Sequence, residues 1–438
     1  MKQSESLERK VGLAAMVALV YCIVAGGPFG LEDIVRDAGY GKAILILIIT
    51  PLVWSLPTAL MVSELGSAIP RAGGFYAWVQ RGMGNFWGFQ ESWLTFAGSI
   101  FDMALYPTFF VAYLTDRWPV LKIGYTPVIL GMTMIAGGVI WNLFGAKAVG
   151  KGSIWITLAV LVPFGVIVWY GFTHTVPAGK IIFQPTKIDW LAGVMIAMWN
   201  YMGWDNVSTI AAEVKNPKRT YPLAMFIAVS IVSLTYIIPI AAVAHTKISA
   251  ANWDTGYWVD IGRILGGKWL ATAVMLSGAA AAVGTFNALV LSLPQLPAVM
   301  AEDKFLPKIF AYRNKSGAPI VAIITCTVAW SACLSLGFEG LVMLDVLLTG
   351  LSILLEFGAL IALKIKEPDL VRPFAVPGGL AGSIIITIPP VALLVLAAIR
   401  NHAEKVGDIN TLFIGMFLIA LGPLIYLLSN HFRKKSAS

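Results

Sequence analysis

The chain has 438 residues, of which 58% are hydrophobic and only 12% charged, and its mean hydropathy of +0.80 is far above that of a soluble domain. A net charge of +8 would suggest a nucleic-acid partner in a soluble protein, but the apolar excess comes in long runs and excludes that class. The expected fold is an all-α polytopic membrane protein with no nucleic-acid partner, embedded in a lipid bilayer.

Apolar runs of about 20 residues, long enough to cross ~30 Å of hydrocarbon, recur about twelve times. They fall at 12–38, 42–69, 86–114, 126–144, 152–172, 190–212, 220–245, 269–300, 319–337, 341–363, 380–399 and 410–429. If Lys2, Arg9 and Lys10 are cytoplasmic and the segments alternate, one side also receives Arg71, Arg81, Lys147, Lys151, the cluster Lys215 to Arg219, and the basic residues of 304–315, 364–372 and 433–435. That side then holds about 20 of the 31 Lys and Arg residues, as the positive-inside rule expects. Both termini, 1–11 and 430–438, are therefore expected in the cytoplasm of a multi-pass cell-membrane protein. The short charged head before a long first segment argues against a cleaved signal peptide.

The first segment carries Val24-Ala25-Gly26-Gly27-Pro28-Phe29-Gly30-Leu31-Glu32-Asp33 near its middle. Gly loosens a helix, and Pro removes a donor and clashes with the preceding turn, so an interruption is expected here. In hydrocarbon, non-helical backbone survives where protein buries it or where it lines a watery cavity. Gly26 and Gly27 are expected to let a ligand approach bare backbone, and the half-helix beginning near Phe29 to aim amide donors at a ligand carboxylate.

The second segment ends in Glu64, which is expected to meet interfacial water or to pair with Arg71. The stretch from Arg71 to Asn85, with Gly73-Gly74, Phe75, Tyr76 and Trp78, suits a short helix at the membrane surface, and Trp87 and Trp93 suit interfacial anchors. Segment three carries Asp102 midway, where a carboxylate costs roughly 2.5 to 3.5 kcal/mol even on a lenient insertion scale. A substrate or proton site is the functional reading, with Tyr106 one turn away as a hydrogen-bond donor; a structural hydrogen bond to a broken helix is the alternative.

Segment six holds Trp199-Asn200-Tyr201-Met202-Gly203-Trp204-Asp205-Asn206 in its interior, and Gly203 beside an acid and an amide is compatible with local unwinding. Segment eight carries Ser277, Thr285, Asn287 and Ser292, which read as packing residues before ligand contacts. In segment ten, Glu356 suits either an inner-gate role or a snorkelling pair at the cytoplasmic edge, and Asp345 an interfacial position.

Because the interrupted segments are the first and the sixth, each can begin a five-helix unit. Five being odd, the second unit enters from the opposite face, which is an inverted repeat. The loops at 71–85 and 246–268 occupy corresponding places, longer and more amphipathic than plain turns. The expected organisation is a first repeat at 12–172, a second at 190–363 and an accessory pair at 380–429.

Cys22, Cys326 and Cys333 lie within apolar spans and read as small buried hydrophobes. No P-loop, HExxH or GxSxG pattern is present and the four His are scattered, so neither an ATP-driven pump nor an enzyme is expected, and no cofactor or metal.

The glycine turn, the stretch from Glu64 to Gly74, Trp87 to Gln90, Asp102 to Pro107, Trp199 to Asp205, Glu213 to Pro222 and Leu355-Glu356-Phe357 together resemble the amino acid-polyamine-organocation transporters, and within them the polyamine uptake branch. The resemblance covers segments one to ten. It implies a leucine-transporter-type fold with substrate held between broken segments one and six, places the glycine turn on Gly26, Gly27 and Gly30, and puts the branch's acids on Asp102, Asp205 and Glu356. Two positions depart from it: plant members carry a Glu where this chain has Ile23, and the segment-five Lys that replaces sodium in some relatives has no counterpart in 154–170.

The expected function is a secondary transporter that moves a basic amino acid or a polyamine by alternating access with protons. Its substrate-binding candidates are Ala25, Gly26, Gly27, Phe29, Gly30, Asp102, Tyr106, Trp199, Asn200, Tyr201, Gly203, Trp204 and Asp205, with Asp102 and Glu356 as proton-coupling candidates. No sodium cage of several oxygens is evident, whereas a buried carboxylate can load and unload a proton. A neutral amino acid permease or exchanger of the same fold is the alternative, and a channel the alternative of another class, although a channel needs a continuous polar pore.

Overall fold

A computed structural model describes residues 11–71, 73–115, 117–143, 146–173, 189–314, 317–403, 405–406 and 409–435. Lys2, Arg9, Lys10 and Lys315 lie outside them. The chain runs as α1 (Leu13–Val24), α2 (Glu32–Ala38), α3 (Tyr40–Thr50), α4 (Leu56–Ala68), α5 (Gly74–Met83), α6 (Asn85–Thr115), α7 (Thr126–Leu143), α8 (Ala146–Thr173), α9 (Trp190–Asn200), α10 (Pro217–His245), α11 (Trp258–Ser292), α12 (Gln295–Glu302), α13 (Ile320–Ala332), α14 (Phe338–Lys366), α15 (Gly379–Ala403) and α16 (Thr411–Lys435). A single π-type turn, Pro51–Ser55, joins α3 to α4, where Pro51 withholds a donor from the ladder. A two-residue hairpin, Lys405–Val406 with Ile409–Asn410, precedes α16.

Eight of the described helical stretches are long and apolar enough to cross a membrane, among them Tyr40–Ala68, Asn85–Thr115 and Phe338–Lys366. Four more apolar helices are shorter. This is an integral multi-pass membrane protein. Side chains on α15 and α16 such as Ile385, Val395, Phe413 and Phe417 are exposed, as a lipid-facing surface requires, while α6, α11 and α14 carry the deepest burial.

Two expectations need correction. The eighth segment itself starts close to 269, because α11 is broken at Gly267, whose φ of 75° no helix accommodates; the part before the break, from Trp258, is a separate short helix in the 246–268 stretch whose Trp258, Val259 and Ile261 are buried. The helix in 71–85 exists as α5, but it is no free surface helix; Phe75, Tyr76, Trp78 and Val79 are buried beneath α6 and α14. Trp93 is not an anchor in water, since its indole donates to the Leu418 carbonyl at 2.8 Å and fixes α16 against α6. Trp87 is 42% exposed.

Glu64 departs furthest from its sequence reading. It is fully buried, and its partners are Lys364 at 3.0 Å and Arg372 at 3.1 Å, not Arg71. Its Oε2 also accepts from the Val376 amide at 2.6 Å. Arg372 in turn donates to the carbonyls of Leu363 and Glu367 at the end of α14, so one carboxylate ties α4 to the whole exit of α14. Arg81 on α5 adds a two-pronged contact to Glu367, at 2.9 and 2.6 Å, which holds that exposed carboxyl below its usual range. Removing one partner of a buried ion pair strands the others, at about 3 to 5 kcal/mol. Glu64→Gln is therefore expected to lower the melting temperature in detergent by several degrees while Arg71→Gln does not; equal melting of Glu64→Gln and wild type would refute the pairing's importance.

Candidate functional site

The α1 helix closes with the Ala25 amide on the Tyr21 carbonyl at 2.8 Å, and then the chain turns through φ of 57° at Gly26, 120° at Gly27 and 77° at Gly30. These are left-handed values that a side chain resists, so glycine is what lets the helix stop and restart here. The second interruption begins after Asn200. It passes through Gly203 at φ 95° and resumes as a 3-10 helix, Asn206–Glu213, where a longer α-helix was expected.

The two breaks are bonded to each other. The Asn200 amide donates to the Gly30 carbonyl at 3.1 Å, and the Asn200 carbonyl accepts from the Tyr236 hydroxyl at 2.9 Å. Trp204 donates to the Tyr201 carbonyl and Tyr201 to the Leu47 carbonyl, at 2.7 and 3.0 Å. Backbone freed from the helices is thus satisfied by side chains, as a low-dielectric interior demands.

Between the breaks lies a cavity with about 860 Å³ of empty space, its mouth included. Among the expected residues, Ala25, Gly26 and Phe29 line it from the first break, and Trp199, Asn200, Gly203 and Asp205 from the second. Asp102 and Tyr106 line it from α6. Gly27, Gly30, Tyr201 and Trp204 do not. A Cβ on Gly27 would meet Val160 and the Phe29 ring, and one on Gly30 would meet Trp199 and Phe109; these glycines make room for packing. The Tyr201 and Trp204 rings are spent on the carbonyls just named.

Asp102 is held as its neighbours suggested, and by one more. Its Oδ1 accepts from the Tyr106 hydroxyl and from the Trp199 indole, both at 3.0 Å, so α6 meets the second break through this carboxylate. Trp199 leans on Phe109 and Phe338, with ring centres 5.7 and 6.0 Å apart, and the Trp199 and Phe109 rings line the cavity.

Sequence reasoning misplaced one acid, left a second open between two roles and passed over a third. Asp345 is not interfacial: it is buried, lines the cavity, accepts from Thr349 Oγ1 at 2.7 Å and has Asp102 and Asp205 as charged neighbours. Glu356 does not line the cavity and does not pair at an edge; it is fully buried, and Lys364 is committed to Glu64. Glu91 is buried on α6, accepting from Thr95 Oγ1 at 2.9 Å. The signal for all three was a repeated spacing. Glu91, Thr95, Gly98 and Asp102 on α6, and Asp345, Thr349, Ser352 and Glu356 on α14, each keep one helical face through steps of four, three and four. No Lys, Arg or His lines the cavity among the described residues.

The profile of the amino acid permease family matches residues 12–422. The chain belongs to that family. The permease is 33% identical to a probable polyamine transporter of Arabidopsis thaliana over 98% of its own length and 85% of that protein. It is 34% identical to a polyamine transporter of Oryza sativa subsp. japonica, covering 94% of this chain and 78% of the other. A serine/threonine exchanger of Bacillus subtilis is more distant, 25% identical over 70% of the permease and 71% of the exchanger. The permease is thus a membrane transporter and not an enzyme.

Proposed function

We propose that the permease is a secondary carrier that moves a polyamine, or failing that a basic amino acid, by alternating access with coupled protons. The observation that carries the reading is the charge of the cavity. Asp102, Asp205 and Asp345 line it and no basic side chain among the described residues does, so a cationic guest is what offsets three acids, two of them buried and Asp102 partly so. The curated relatives named as polyamine transporters support it. A polyamine is preferred over an amino acid because the first turn of α2, where a substrate carboxylate would need amide donors, already holds the buried acids Glu32 and Asp33.

In this reading the cavity residues Ala25, Gly26, Phe29, Asp102, Tyr106, Trp199, Asn200, Gly203 and Asp205 contact substrate. Gly27, Gly30, Tyr201 and Trp204 shape the breaks, and Asp102 is the first proton-coupling residue with Glu356 the second. The architecture is two inverted five-helix repeats, 12–172 and 190–363, plus an accessory pair, 380–429, in twelve spans with both termini cytoplasmic. The breaks at Gly26 and Gly203, one near the start of each unit, support that arrangement.

Purified protein challenged with polyamines and amino acids should melt higher with a polyamine, since a ligand of the folded state alone stabilises it. Asp205→Asn should weaken that ligand by about tenfold or more, the worth of one charge-assisted hydrogen bond. Preloaded substrate should accelerate uptake into proteoliposomes, which a channel does not show. The distant serine/threonine exchanger favours one other reading, a neutral amino acid exchanger. Stabilisation by serine or threonine alone, equal in wild type and Asp205→Asn, would establish it and sink the cationic one.

A further inference from the structure

The repeated spacing on α6 and α14 places acids at both ends of one seam. These helices pack against each other along their length, Asp102 neighbours Asp345, and Glu91 neighbours Glu356. Each helix therefore carries two carboxylates eleven residues apart, roughly 16 Å of helical rise. Asp205 from the second break stands between the two pairs, a charged neighbour of Asp345, Glu356 and Glu91.

The Glu91–Glu356 pair is incompletely satisfied. Glu356 is fully buried, and neither of its carboxylate oxygens has a hydrogen-bond partner among the described residues; the same holds for Oδ1 of Asp205, which is 1% exposed. Three orphaned carboxylate oxygens match the three N–H donors of a primary ammonium. The pair is also only one layer from the cavity, because Thr95, which lines the cavity, donates to Glu91, and Asp205 lines it too. A metal ion is a poor occupant: no group of three or more His, Cys, Asp or Glu among the described residues is arranged to hold one.

We propose that Glu91, Asp205 and Glu356 form a second ammonium subsite, which takes the far end of a linear polyamine whose first ammonium sits beside Asp102 and Asp345. This rests on the cationic-substrate reading above and adds to it a preference for length. A short diamine reaches one acid pair; a long tetraamine, laid along the α6–α14 seam, reaches both.

The probes are putrescine and spermine, titrated into detergent-purified wild type, Glu356→Gln and Glu91→Gln, and the readout is the ratio of their dissociation constants. The wild type is expected to prefer spermine, and each variant to shrink that preference by about tenfold or more. Gln keeps the side-chain shape and removes a buried charge, so the variants are expected to fold. An unchanged ratio in both variants, or equal weakening of both probes, would overturn the subsite. Equal affinity of the wild type for the two probes would overturn it while leaving the cationic reading intact, and a wild type that binds neither would remove both.

Discussion

Gly26→Val is expected to abolish substrate binding, by at least about a hundredfold, the cost of blocking a ligand's close approach with strain added. Gly26 lines the cavity at φ 57°, and a Cβ there would collide with Thr285 Oγ1 of α11. Relief would require that hydroxyl to move or the break to reshape, and the two Val methyl groups would then fill space a ligand needs. The left-handed conformation itself costs roughly 1 to 2 kcal/mol with a side chain, which a folded helix bundle tolerates. Monodisperse protein with no detectable ligand-induced rise in melting temperature is therefore the expected result. Wild-type affinity in this variant would take the first break out of the site. Gly27→Val is a worse probe, because at φ 120° its side chain would press on Val160 and Phe29, and lost folding would mask lost binding.

The breaks were legible because their cause is local. Two glycines and a proline stop a helix whatever surrounds them, and Tyr106 meets Asp102 because residues four apart on a helix share a face. The partners of Glu64 were not legible for the converse reason: Lys364 and Arg372 approach it only when α14 folds back past α4, and sequence proximity pointed to Arg71. Asp345 was misjudged, and an edge pairing kept open for Glu356, through their distance from a segment end, which ignores how closely α14 is covered by α6. The unwinding after Asn200 was anticipated but its continuation as a 3-10 helix was not, since hydropathy alone does not separate the two ladders.

The other end of the bundle is closed by charge. Arg36 on α2 pairs with Asp33 and Asp37 on its own helix, with Asp254 before α11 at 2.8 Å and with Glu339 at the start of α14 at 3.4 Å. Nearby, the Tyr113 hydroxyl and the Gly256 amide both donate to Glu32. Three elements that alternating access would have to part are thus joined at the end opposite Glu64. Each acid here has a cationic or neutral donor on at least one oxygen, in contrast to Glu356, which has none on either among the described residues, so they read as a seal and not as a further stop for substrate.

Asp102→Asn is expected to uncouple transport from the proton gradient. Asp102 lines the cavity, its donors Tyr106 and Trp199 are neutral, its charged neighbour Asp345 is another acid, and no basic side chain among the described residues lines the cavity, so its charge is offset by a cationic ligand or a proton. That gives the carboxyl two alternating occupants, which is what coupling requires. Asn keeps an oxygen where Tyr106 and Trp199 donate, so the local geometry survives; titration is lost, and affinity falls with the charge because Asp345 alone is left beside the ammonium. In proteoliposomes without sodium, an inward gradient of about one pH unit supports up to roughly tenfold accumulation per coupled proton. The wild type should approach that limit, and Asp102→Asn should only equilibrate its substrate. Exchange of internal for external substrate needs no net proton release and should remain measurable in the variant, which separates uncoupling from misfolding. Wild-type uptake that demands sodium and ignores the pH gradient would remove the proton from the mechanism, and concentrative uptake by Asp102→Asn would move the coupling site to another carboxyl, Glu356 first.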